Sequence, residues 1–72
     1  MQEQPVSTAI AARRVSSLLG RNVAPRELYM LAIERRVSPQ SDNDGNVVWT
    51  PRNILDAASN LDRLTLVYLS LM

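Results

Sequence analysis

Asp42-Asn43-Asp44-Gly45-Asn46-Val47-Val48-Trp49-Thr50-Pro51-Arg52 reads in order as a turn, a strand and a freshly capped helix. Gly45 and its Asn and Asp neighbours supply the positive-φ positions of a hairpin turn, and Val-Val-Trp favours a strand. Thr50 followed by Pro51 is a helix start, because the hydroxyl caps free N–H groups and the proline ring presets φ at the first helical position. Two arginine-bearing helical segments precede this stretch. The order helix, helix, hairpin, helix predicts a mostly α chain, a small winged helix-turn-helix of three or four helices with a short β-hairpin at about residues 37–49.

Upstream, Met1 to Val6 is polar, contains Pro5 and has no period, which reads as a disordered lead-in over residues 1–6. Ser7 can cap a first helix in which Ala11, Val15, Leu18 and Leu19 recur at helical spacing, with Arg13, Arg14, Ser16 and Ser17 mostly turned outward. Gly20 ends it as a C-cap. After the short link Arg21 to Ala24, Pro25 opens a second helix carrying Leu28, Leu31, Ala32 and Arg35 along one stripe. Helices joined by so few residues must pack closely, as in a helix-turn-helix. The hairpin follows, and Trp49, the single Trp, is expected to anchor it to the helices.

From Thr50 onward Ile54, Leu55, Ala58 and Leu61 recur at helical intervals, so residues 7–60 read as one winged-helix-like domain. Residues 61–72 then change character. Leu64-Thr65-Leu66-Val67-Tyr68-Leu69-Ser70-Leu71-Met72 is apolar at almost every position, and a segment apolar all round must be buried all round. Helix is favoured there by continuity from Pro51, with strand as the alternative. A domain this small can hardly surround such a segment, so Leu64, Leu66, Val67, Tyr68, Leu69 and Leu71 are expected to meet a second copy, a partner protein or a further element of a longer chain as an interdomain contact.

Composition narrows the chemistry. The 72 residues make room for one small domain, and the absence of Cys removes disulfides and thiolate metal sites. Without His, the usual general base and the usual zinc ligand are both missing, so an enzyme, a metal site and a cofactor are not expected. Glu27 and Glu34 lie seven apart on one helix, but with no nucleophile elbow or Gly-rich phosphate cradle they read as solvated carboxylates rather than an acid-base pair. Asp42-Asn43-Asp44-Gly45 shares the opening of a calcium loop, yet the position of the bidentate Glu is Pro51, so a polar hairpin tip is the better account. No apolar run of about 18 residues and no signal peptide is present, which predicts no membrane partner and a cytoplasmic or other intracellular protein, the nucleoid included. No small-molecule site is expected.

A net charge of +1 is too small to imply a nucleic-acid partner by itself. The type of base matters more: all eight basic residues are Arg, which suits bidentate phosphate or carboxylate contacts, although codon usage gives the same composition. Val23-Ala24-Pro25-Arg26-Glu27-Leu28-Tyr29-Met30-Leu31, followed by Gly45 to Leu55, resembles the MerR/excisionase class of winged-helix DNA-binding domains. The likeness lies in a small turn before the second helix, an aliphatic-Tyr-x-Leu core, a Gly-x-x-x-aromatic wing and the helix start Pro51-Arg52-Asn53-Ile54-Leu55, over roughly residues 8–60.

That resemblance implies a sequence-specific module of a small bacterial or phage regulator bound to duplex DNA. Its second helix would enter the major groove with Arg26, Glu27 and Met30 facing bases, and with Arg52, Arg13 and Arg14 near phosphates. Independently of any family, arginine reads guanine edges bidentately and helix N-termini favour phosphate oxygens. Three features depart from the pattern: Met30 and Ile33 on the face that Arg26 begins, Asp42 and Asp44 at the wing, and Val47 and Val48 where such wings often carry arginine. They support the alternative, a protein-interaction or assembly module, of the kind a viral cofactor-binding domain represents, working through the C-terminal segment and the Met30/Ile33 face.

Overall fold

The structure, a computed structural model, describes the backbone of residues 4–71 and the side chains of residues 4–62. Three helices and a three-stranded antiparallel sheet follow in the order β1 (Val6–Ser7), α1 (Thr8–Leu19), α2 (Pro25–Ile33), β2 (Gln40–Ser41), β3 (Val47–Trp49) and α3 (Pro51–Leu71). The hairpin β2–β3 is therefore present, with its paired residues spanning 40–48. A third strand joins it: Val6 lies opposite Trp49 and Ser7 opposite Val48 on one side of β3, while Gln40 and Ser41 pair with Val48 and Val47 on the other. This corrects the expected lead-in, since Val6 belongs to the sheet and packs against the core. Two residues are too short to show a period, and Val6 gains its partner only when β3 returns from more than forty positions away.

Local chemistry sets the helix ends. Ser7 Oγ accepts from Ile10 N–H at 3.3 Å, and Gly20 ends α1 at φ 69° with its N–H donating to Ser16 O. At the far end of α2, Arg36 N–H donates to Leu31 O and Arg35 N–H to Ala32 O, the paired bonds of a Schellman ending. Arg35 occupies its left-handed position at φ 60°, so it has left the helix and does not extend the Leu28–Leu31–Ala32 stripe as expected.

One core unites all layers: Ala11, Ala12 and Val15 of α1, Leu28 and Leu31 of α2, Trp49 of β3, and Ile54, Ala57, Ala58 and Leu61 of α3, with Val23 and Val37 from the connections. Trp49 is fully buried and its indole Nε1–H donates to Thr8 Oγ1 at 2.9 Å, which satisfies both polar atoms and fastens the sheet to the start of α1. Two expected core residues point outward instead, Leu18 at 55% and Leu55 at 58% exposed. The core side of these helices is instead filled in part by the small residues Ala12 and Ala57, both buried.

α3 runs unbroken through residues 60 and 61, and Leu61 is part of the core, so the division drawn at that point marks a change of composition and not of structure. The backbone of residues 64–71 is helical, which decides between helix and strand. The side chains of Leu64, Leu66, Val67, Tyr68, Leu69 and Leu71 lie outside the described residues. No helix among the described residues is long and apolar enough to cross a membrane.

Candidate nucleic-acid interface

Between α1 and α2 the chain turns within five residues, Gly20 to Ala24, and two side chains hold that turn. Ser16 is half-buried rather than outward: its Oγ donates to Ala12 O at 2.7 Å and accepts from Val23 N–H at 2.9 Å. The buried valine that anchors the turn is thereby left with a satisfied backbone. Glu27, at the third position of α2, accepts from Ala24 N–H at 2.8 Å through Oε2, and its Oε1 lies 3.5 Å from Arg21 Nη1. The start of α2 is thus fixed from both sides, by a carboxylate that reaches back to the N-cap residue and by a serine from the preceding helix.

This removes Glu27 from the residues available to a base. Its carboxylate is committed within the turn, and it acts as a positioning residue for α2. Arg26, one residue earlier, is exposed and has no acidic partner among the described residues. One turn on, Met30 is 52% exposed, and Ile33 a turn further is 73% exposed, so Arg26, Met30 and Ile33 form the outward stripe of α2. Leu28 and Leu31 on the opposite face hold the helix to the core.

Arg13 and Arg14 are exposed on α1 and likewise have no acidic partner among the described residues. They face different ways. Arg13, Ser16 and Asn22 line a mixed, largely apolar groove of about 650 Å³ that runs to Ala24 and Pro25 at the start of α2. Arg14 instead borders an apolar groove of about 430 Å³ between α1 and α3, lined also by Ser17, Leu18, Pro51, Ile54 and Leu55. Arg52 is 84% exposed and sits 3.5 Å from Asp56 one turn on, an exposed pair too weak to withhold it from a stronger anion. Arg13 therefore lies beside the start of α2, where Arg26 stands, while Arg14 borders the α1/α3 groove and Arg52 stands exposed in the first turn of α3.

The hairpin tip is organised by one acidic residue. Asp42 Oδ1 accepts from both Asp44 N–H and Asn46 N–H at 2.9 Å, while Asp42 N–H donates to Asn46 O and Gly45 N–H to Asp42 O. Asp42 is a turn former here, and Gly45 at φ 82° supplies the left-handed residue. Among the described residues no three carboxylates gather as a metal ion would require. At the base of the hairpin, Thr50 Oγ1 accepts from Asn53 N–H, Asn53 Oδ1 accepts from Thr50 N–H, and Asn53 Nδ2 donates to Ser38 O at 3.2 Å. A capping box thus caps α3 and ties it to the strand entering the hairpin.

Ser16, Arg21 and Asn53 carry positioning roles that the sequence reading did not assign. Asn53 had a signal, Thr-x-x-Asn, an amide variant of the usual Ser/Thr-x-x-Glu box. Ser16 had none, since its partner Val23 is on the far side of a glycine turn. Comparison of the chain with family models, curated proteins and solved structures gives no match.

Proposed function

We propose that this chain is a sequence-specific DNA-binding module of winged helix-turn-helix type, similar to the MerR/excisionase class, in which α2 enters the major groove. The observation that carries the reading is the placement of α2. Its inner face and its first turn are fixed by the core, Ser16 and Glu27, while Arg26 stands outward in that first turn, the part of a reading helix that meets base edges, and Met30 follows it one turn on. Arg26 addresses a guanine edge, and Arg13 approaches the phosphates beside the same helix start. Arg14 and Arg52 are assigned to phosphates more loosely, because Arg14 borders the α1/α3 groove and Arg52 is paired with Asp56. The reading is non-catalytic and needs no cofactor.

Binding of a mixed-sequence fluorescent duplex, followed by anisotropy at about 50 and 200 mM salt, tests this. Three phosphate contacts give a slope of about −3 in log affinity against log salt. Arg26→Ala is expected to weaken binding to a selected site about tenfold or more. Affinity that ignores salt, or that survives loss of Arg26 and Arg13 together, would overturn the reading.

A second reading is favoured by a separate observation, the apolar α1/α3 groove with Leu18 and Leu55 exposed on its walls. On that reading the domain is an assembly module, and the apolar segment 64–72 is its seam with a second copy or a partner protein. Such binding changes little with salt, which separates the two readings in the same titration.

A further inference from the structure

The outward stripe of α2 is unusual for a surface that meets DNA. Beyond Arg26 it offers two exposed aliphatic side chains, Met30 and Ile33, flanked by the exposed ring of Tyr29, which borders a groove toward the hairpin residues Asp42 and Asn46. Exposed apolar side chains of this size gain nothing from water or from phosphate. Within a major groove they have one complementary feature, the C5-methyl group of thymine, the apolar element of the base-edge pattern. The guanidinium of Arg26 has its own complement at the same depth, the O6 and N7 acceptors of guanine.

We propose that α2 reads its target by a polar contact and an apolar contact in series: Arg26 on a guanine, and Met30, followed by Ile33, on thymine C5-methyl groups. This rests on the DNA-binding reading above and specifies the ligand of that site. Four residues of helix advance about 6 Å, close to two base-pair steps of about 3.4 Å, so the guanine and the first methyl lie about two steps apart in the half-site. Charge complementarity supports the placement: Arg26 has no acidic partner among the described residues, and Glu27 beside it is committed to Ala24 N–H and Arg21. A carboxylate at this helix start is thereby turned back onto Ala24 N–H and Arg21.

Uracil differs from thymine only by the methyl group and keeps every hydrogen bond of the base pair. One randomised duplex library, amplified in parallel with thymine and with uracil, is enriched on the full chain, and the selected sites are then measured in both forms. The expected result is a motif with guanine and thymine about two steps apart, and about fourfold weaker binding for each contacted thymine replaced by uracil. Met30→Gln, at an exposed position that leaves the fold intact by circular dichroism, is expected to erase the thymine-over-uracil preference at the thymine two steps from the guanine, and Met30→Gln with Ile33→Gln to erase it at every position, while leaving the salt slope unchanged. Equal affinity for thymine and uracil sites would overturn methyl reading while DNA binding stands. No salt-sensitive binding to either library would overturn both.

Discussion

Thr8 and Trp49 show most directly what single residues contribute. The indole N–H and the threonine hydroxyl are buried together, so Thr8→Val leaves a buried donor without a partner and is expected to cost about 1–3 kcal/mol in urea unfolding. Trp49→Phe in the Thr8→Val background should cost less than in the native chain, because both polar atoms are then gone; simple additivity would show that the bond carries no coupling. Arg35 makes the opposite case. At φ 60° a non-glycine residue bears about 1–2 kcal/mol of backbone strain, and glycine would relieve it at an entropic cost of about 0.5–1 kcal/mol. Arg35→Gly is therefore expected to raise stability by about 0.5–1 kcal/mol, and a lowered melting temperature would contradict that. Residues whose role is local were legible in the sequence: Ser7, Gly20, Pro25, Gly45 and Thr50 all act where their chemistry placed them. Ser16 and Trp49 find their partners through tertiary contact, and only the anchoring role of Trp49 could be inferred, from its size.

Each element is held at its ends more firmly than its length would allow. Hairpin and α3 meet at Asn53, which completes the cap with Thr50 and also holds Ser38 O, so Asn53→Ala is expected to cost about 1–2 kcal/mol and to speed amide exchange in the hairpin. Unchanged exchange there would mean that the hairpin is held by the sheet alone. Glu27→Ala acts on α2 in the same manner. It leaves Arg26 in place and frees the helix start, so DNA affinity should fall although a negative charge has been removed; a simple gain from reduced repulsion would contradict its positioning role. Helix positions were legible from period and caps, whereas which apolar residues face inward was only partly so. Leu18 and Leu55 follow the helical period as well as Val15 and Ile54 do, yet they are exposed while the small residues Ala12 and Ala57 are buried. β1 was not legible, since two residues acquire strand character only from β3.

Across the whole molecule the apolar surface falls in two places, the Met30 and Ile33 stripe beside Arg26 and the groove between α1 and α3, and only the second is apart from the arginines at the start of α2. Arg26 and Arg13 lie around the start of α2, while the apolar groove and the continuing helix lie along α1 and α3. One face can therefore meet DNA while another meets protein. Leu66→Asp places a charge in the segment expected to form a seam, and light scattering should then report a monomer where the unaltered chain is a dimer; equal masses would exclude a seam at Leu66. On the proposed reading α2 is the face that meets DNA, and a two-dimensional amide NMR titration of the chain with a mixed-sequence duplex, first at low and then at moderate salt, tests that. Shifts centred on Arg26, Met30 and the Gly20–Ala24 turn, fading as salt rises, are the predicted result. No shifts at low salt, or shifts confined to Leu18, Leu55 and the end of α3, would contradict it.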